Sequence, residues 1–414
     1  MESSNIFFIA FNIKKEFGGM TNSFLKRSKL FNEKANLNVN IVTFAMDYEL
    51  RKNLEYINHK IGNKTKIINM YEFYSQQLFD STDTTAHKVE EQGYFIYKYD
   101  GKEIYDYFKN GHLEFRKNFE DYDGKLSSKI YFNNELNKYK KEEFDTNGYL
   151  RKTIYYNTTS DKMIKSMLYR LDGSIYMTKH YRLQKDNIDG KEINTCVGIY
   201  VFDKQGNSIS KFKSDIDLKN NFLDQITNQY KHNFFIIDSS YKLEDMKLYK
   251  NEKNEVYKIY MSHNCHTKYP YYFDSEIRSS IKCIYDDIYN HDAIVSLTKK
   301  QQNDIKKRYS KVNNIHLIPH SINTSTSILD KLKLNKRDYS RIICVARIDQ
   351  QKQLDHAIKS FSIVVKKMLN AKLEIYGIEG DVKRETLESL IKELNLENNV
   401  FLMGYTNNIK DIYN

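Results

Sequence analysis

The hydrophobic positions fall into three textures along the chain. Over residues 1–75 an apolar run, Ile6–Phe11, passes through a Gly-Gly turn into Phe24, Leu25, Leu30 and Phe31 near helical spacing, and then into a second apolar run, Val39–Phe44. A buried strand entering a helix through a glycine turn opens a doubly wound α/β domain. Over 76–213 the period changes to two. The stretches 121–132, 144–156, 169–181 and 201–212 alternate Tyr, Phe and Ile with Lys, Asp and Ser around a turn. Asp123-Gly124, Asn147-Gly148 and Asp172-Gly173 predict two-residue primed turns, which need positive φ. Gly124, Gly148, Gly173 and Gly206 are spaced by 24, 25 and 33 residues. That is a degenerate repeat of hairpins, so an antiparallel β-meander with one wet face is expected.

From 214 the α/β texture returns. Phe234–Ile237, Tyr257–Met261, Ala293–Leu297 and Ile315–Ile318 read as strands, and Ser275–Asn290 and Lys299–Tyr309 as helices. A polar linker, 320–338, precedes a second series. In it Arg341–Ala346, Lys372–Tyr376 and Val400–Met403 read as strands, and Leu354–Met368 and Val382–Leu394 as helices.

Composition narrows the picture. The 414 residues suit two or three domains. No stretch approaches the ~20 apolar residues of a membrane span. Ile6–Phe11 is too short for a signal-peptide core and has no basic region before it. Cys196, Cys265, Cys283 and Cys344 are scattered, so neither a disulfide framework nor a zinc site is suggested. The net charge of +11 favours a polyanionic partner, whether nucleic acid, an anionic membrane or an acidic polymer. An AT-rich genome would enrich Lys and Asn equally well. No helix-turn-helix, zinc finger or RNA-binding aromatic motif supports nucleic acid.

Candidate chemistry sits at strand ends, where open α/β sheets bind ligands. Gly18 and Gly19 follow the first strand, where backbone N–H groups at a helix start can face an anion. Any left-handed turn also uses glycine. Arg347 and Lys352 follow the strand at 341–346, and two cations on one loop can clamp a diphosphate. They are also what a solvated basic stretch looks like. His263 follows another strand and can hydrogen-bond a sugar or phosphate, with His266 as a near competitor. No Ser-His-Asp arrangement, phosphate-binding G-x-x-x-x-G-K-[ST] loop or metal cluster is legible.

Taken in order, GGMT (18–21) with Arg27-Ser28, MSHN (261–264), VSLTKKQQNDI (295–305), IPHSIN (318–323), ARIDQQKQLDHAI (346–358), EIYGIEGD (374–381) and NVFLMGYT (399–406) resemble the retaining glycosyltransferases of family 4. The opening and the hairpin insert resemble the wall teichoic acid branch of that family. The resemblance implies an α/β, GT-B fold with two Rossmann-like domains and an antiparallel β insert in the first. The first domain would comprise 1–75 and 214–320, the insert 76–213, and the second, incomplete domain 321–414.

The same resemblance implies transfer of glucose or N-acetylglucosamine from a UDP-sugar to a polyol-phosphate polymer, without a metal or cofactor. His263, Arg347 and Lys352 would be catalytic. Gly18, Gly19, Arg347, Lys352, Gly377, Glu379 and Gly380 would line the nucleotide-sugar site. A homotrimer through the insert, peripheral contact with an anionic membrane and a cytoplasmic location are implied as well. A glutamate pair that this family carries beyond the last strand is absent before Asn414, so the chain alone is expected to show little turnover. A transferase acting on a Ser-rich protein, and an inactive scaffold subunit, are the alternatives.

Overall fold

The computed structural model describes residues 4–14, 19–79, 83–120, 124–185, 192–238, 246, 249–320, 339–406 and 412. They form two compact units, Met1–Ser321 and Ile322–Asn414. The expected linker, apart from His320, lies outside the described residues.

The first unit is built on a seven-stranded parallel sheet of β1 (Ser4–Ala10), β2 (Val39–Thr43), β3 (Thr65–Asn69), β14 (His232–Ile237), β15 (Glu255–Ser262), β16 (Ala293–Ser296) and β17 (Ile315–Leu317). Their order across the sheet is β17-β16-β15-β14-β1-β2-β3. The apolar runs follow from burial on both faces. Phe8 and Ala10 pack on one side with Phe24, Leu25 and Ile41. Phe7 and Ile9 pack on the other with Phe235, Ile237 and Phe222. Helix α1 (Gly19–Ala35) turns Phe24, Leu25, Ser28 and Asn32 inward, one helical stripe. The strand order reverses between β1 and β14, so their carboxyl ends flank a crevice.

Between β3 and β14 lies the insert, ten antiparallel strands, β4 (Phe95–Lys98) to β13 (Ser208–Phe212), in consecutive order. It is a meander, as the alternation predicts. Its later strands are not a separate core: Leu168, Tyr176, Met177, Ile199 and Val201 share a cluster with Phe7 and Phe235 of the parallel sheet. A second, distal cluster holds Tyr105, Tyr107, Phe115, Phe119 and Leu126. Arg170, 1% exposed, locks the joint. Its guanidinium donates to the carbonyl oxygens of Ser75 (2.9 Å) and Phe202 (2.7 Å).

The turns depart from the sequence reading. Gly148, Gly173 and Gly206 do have positive φ, but the loops are three-residue, not two-residue. Asp145 N–H donates to Tyr149 O at 3.0 Å while Gly148 N–H donates to Asp145 O at 2.9 Å, and the same pair of bonds recurs at Arg170–Ser174 and Asp203–Asn207. This is a type I turn closed by a left-handed residue. At two of the three an Asp at the loop start explains the choice. Asp145 Oδ1 accepts from the N–H groups of both Asn147 and Tyr149, each at 3.0 Å. Asp123 lies outside the described residues.

The expected helix at 275–290 is also corrected. It is broken into Ser279–Ile281, Lys282–Tyr285 and Ile288–Asn290. Ile277 is held in a bridge to Thr267, which keeps the start of the segment extended.

The second unit has three parallel strands, β18 (Arg341–Val345), β19 (Lys372–Tyr376) and β20 (Val400–Gly404), in that order. Helices Leu354–Lys367 and Arg384–Glu393 connect them. Ile358, Phe361, Leu373, Ile375, Leu387 and Val400 form its core. Among the described residues no helix is long and apolar enough to cross a membrane.

Candidate active site

In the first unit the polar groups gather at the reversal point of the sheet. Asp238 is the first residue after β14 and His263 the first after β15. Arg27 of α1 is ion-paired with Asp238 Oδ1. The same oxygen lies 2.7 Å from His263 Nε2. One carboxylate, 5% exposed, therefore orients both a guanidinium and an imidazole. Asp238 Oδ2 and Arg27 Nε are buried without a hydrogen-bond partner among the described residues. Buried polar atoms are rarely left so, and Asp238 lines a cavity.

His320 lies over the His263 ring, with centroids 5.4 Å apart and planes 22° from parallel. Its Nδ1 is 2.8 Å from Ser23 Oγ on α1. Burial, then the neighbouring His263 and Arg27, hold the His320 pKa below its ordinary value. The cavity, about 90 Å³, is lined by Met20, Asp238, Ser262, His263, Asn264 and Arg278 over an apolar floor of Ile237, Tyr260 and Ile294. It has room for a few heavy atoms, not for a whole nucleotide-sugar.

Gly18 lies outside the described residues. Gly19 opens α1, and an added Cβ there would meet nothing within 4 Å, so packing does not require its glycine. His266 separates from its neighbour: it is 1% exposed and stacks on Tyr285 at 5.3 Å. Burial pushes its pKa down to about 4. It belongs to the core.

The other predicted residues are in the second unit. Beyond their strand ends the β18 and β19 chains run on together. Ala346 N–H donates to Tyr376 O and Ile348 N–H to Ile378 O, both at 2.9 Å. This approach leaves no space for side chains. A Cβ on Gly377 would sit 1.9 Å from Ala346 O, and one on Gly380 1.5 Å from Asp349 Oδ1. Arg347 projects from this paired loop, 57% exposed, with Nη2 2.6 Å from Asp349 Oδ2. Asp349 also accepts the Asp381 N–H at 3.2 Å. Lys352 closes a short 3-10 turn and is exposed. Both cations thus stand on one loop past the carboxyl end of β18. Glu379 Oε1 accepts the Arg384 N–H at 2.5 Å, which satisfies one of the free N–H groups at the start of the helix Arg384–Glu393. Among the described residues no cluster of three or more His, Cys, Asp or Glu is placed to hold a metal ion.

Sequence reasoning missed Asp238 and Ser23 as site residues, and took Arg27 and His320 only as parts of motifs. Asp238 carries the same signal as His263: the first polar residue after a buried strand.

Two family descriptions match the chain: "Glycosyl transferase 1 domain A" over residues 7–200 and "Glycosyl transferases group 1" over 327–414. Among curated proteins, the poly(glycerol-phosphate) alpha-glucosyltransferase of Bacillus subtilis is 29% identical over 97% of this chain. The chain spans 59% of that relative's length. The poly(ribitol-phosphate) alpha-N-acetylglucosaminyltransferase of Staphylococcus aureus is 24% identical over 97% of this chain and 77% of its own. Among solved structures, S. aureus TarM in complex with fondaparinux, α-GlcNAc-glycerol and UDP superposes with a TM-score of 0.74 at 21% identity, over 99% of this chain and 78% of that one. The pneumococcal O-GlcNAc transferase GtfA superposes with a TM-score of 0.58 at 13% identity, over 98% of this chain and 76% of that one. The fold is that of the GT-B glycosyltransferases, with a separate antiparallel sheet.

Proposed function

We propose that the chain, which matches the glycosyl transferase descriptions over residues 7–200 and 327–414, moves a hexosyl group from a UDP-sugar to a hydroxyl of a polyol-phosphate polymer, with retention at the anomeric carbon. The observation that carries this reading is the paired loop of the second unit. Gly377 and Gly380 allow two backbone segments to close on each other, and Arg347 and Lys352 stand on the resulting ridge. Cleaving a sugar–phosphate bond leaves growing negative charge on UDP. Fixed cations offset that charge, with Arg347 bidentate and Lys352 a point charge. Asp349 holds Arg347 in place before the donor arrives. No metal is assigned a step. In the first unit His263, oriented by Asp238, is assigned to the donor sugar.

The curated relatives support the polymer acceptor over a Ser-rich protein, since both are named for polyol-phosphate polymers. They differ in donor, so UDP-glucose and UDP-N-acetylglucosamine both remain within the proposal. The insert is assigned to trimer formation and acceptor docking, and the chain to peripheral contact with the cytoplasmic face of an anionic membrane.

Calorimetric titration of UDP and the two UDP-sugars tests the reading. One donor should bind, and Arg347→Ala should weaken it at least about tenfold, as the loss of a charge-assisted pair does. Oligomers without nucleotide affinity would favour a scaffold, and binding untouched by Arg347→Ala and Lys352→Ala would remove the assigned roles.

A further inference from the structure

Between β15 and the helix Lys299–Arg308 the chain carries a loop, Lys268–Phe273, that exposes its aromatic rings. Tyr269 is 83% exposed, Tyr272 66% and Tyr271 47%. A single exposed ring is ordinary, but three on one short loop form a patch that calls for an occupant. The loop is held rigidly. Lys268 N–H donates to Glu276 O at 2.7 Å and Tyr271 N–H to Lys268 O at 2.8 Å. Tyr272 N–H donates to Ser275 Oγ at 3.0 Å. At its neck, buried Thr267 bridges Ile277. From the adjacent helix, Arg308 donates to the carbonyls of Phe273 and Ser275. Tyr271 sits at φ +65, a left-handed conformation unfavourable for a bulky residue. The chain thus accepts strain and exposure together to keep these rings outward.

The neighbouring helix is strongly basic. Its sequence, KKQQNDIKKR, holds five cations against Asp304, with Lys306, Lys307 and Arg308 in the last turn. Lys307 Nζ lies 3.9 Å from the Phe273 ring centroid, so positive charge meets the base of the aromatic loop. Tyrosine has an apolar ring and a polar tip, which suits the headgroup level of a bilayer. Lysines attract anionic headgroups to the same level. The loop projects rings from the surface. A projecting knob enters a soft interface, whereas a polymer strand would ask for a groove.

We propose that the Tyr269–Tyr272 loop, with the basic end of helix Lys299–Arg308, docks the first unit onto an anionic lipid bilayer. This surface would serve the membrane contact in the reading above, and its docking is measured without sugar transfer.

The test uses the full chain with extruded vesicles of phosphatidylcholine, with and without phosphatidylglycerol. The chain has no tryptophan, so Tyr272→Trp installs a single reporter. Its emission should shift to the blue on anionic vesicles and be quenched by bromolipid, while Tyr139→Trp on the insert should show neither. Cosedimentation with anionic vesicles should fall about tenfold in Tyr269→Ser/Tyr272→Ser. It should fall about fivefold for each charge removed by Lys306→Gln and Lys307→Gln. Tyr271→Gly removes a ring where glycine is unstrained, so it should lose binding with no loss of melting temperature. Equal partition onto neutral and anionic vesicles would overturn the proposal, as would unchanged partition in the tyrosine variants. So would an emission change of the Tyr272→Trp reporter with soluble poly(glycerol phosphate) alone, which would make the loop a polymer site.

Discussion

Acidification should cost this protein stability through one buried histidine. His266 is 1% exposed, and neither ring nitrogen has a hydrogen-bond partner among the described residues. Burial is the main reason its pKa falls from 6.5 to about 4, with Arg308 and Lys300 adding to the fall and Asp304 opposing it. The folded state therefore binds this proton later than the unfolded state. The stability it contributes is complete above the unfolded value and is lost as pH falls from 6.5 through about 4. A shift of this size, at ~1.4 kcal/mol per pH unit, amounts to about 3 kcal/mol. Phe at 266 would keep the stack on Tyr285 without a titrating group. Urea unfolding of the wild type and His266→Phe, from about pH 7.5 to 4.5, isolates the effect from the carboxylates that titrate in both. The variant should lose up to about 3 kcal/mol less over that range, with an unchanged m-value. Parallel stability profiles for the two proteins would refute the reasoning.

Asp238→Asn keeps the side-chain volume but removes the charge shared by Arg27 and His263, and should cost about 3 kcal/mol in urea unfolding, as broken buried pairs do. Arg170→Met leaves the carbonyls of Ser75 and Phe202 without their donor; it should cost about 3 kcal/mol, with amide exchange accelerating first where helix Met70–Ser75 meets the insert. Gly380→Ala drives a Cβ toward Asp349 Oδ1, so it should displace the Arg347 anchor and weaken UDP binding about tenfold, while the melting of the first unit stays unchanged.

Apart from β3 (Thr65–Asn69), which was not read, the strands of the parallel sheets were legible to within about two residues because burial on both faces writes an unbroken apolar run. Lys372–Tyr376 is placed as read, and Ile315–Ile318 is one residue too long. The meander was legible as a repeat, but its turn type was not. Asp-Gly and Asn-Gly suggest two-residue turns, whereas the preceding Asp145 and Asp203 gather backbone N–H groups two and four residues on. A short pattern fixes the need for positive φ and leaves the loop length to the whole turn. The merging of Met177 and Val201 into the core of the parallel sheet had no local signature, since alternation shows which face is apolar and not what covers it.

The candidate site divides along the same line. His263 and Arg347 stand out because each follows a strand and carries a side chain of evident use. Asp238 follows a strand equally, yet its meaning depends on Arg27, 211 residues away, and His263, 25 residues on. Those residues converge only because β1, β14 and β15 are adjacent in the sheet. Once that order is granted, the rule for open α/β sheets can be run in reverse. The first polar residue after each central strand becomes a candidate, whatever its type. Asp238 then ranks with His263, and the cavity that both line follows from the topology.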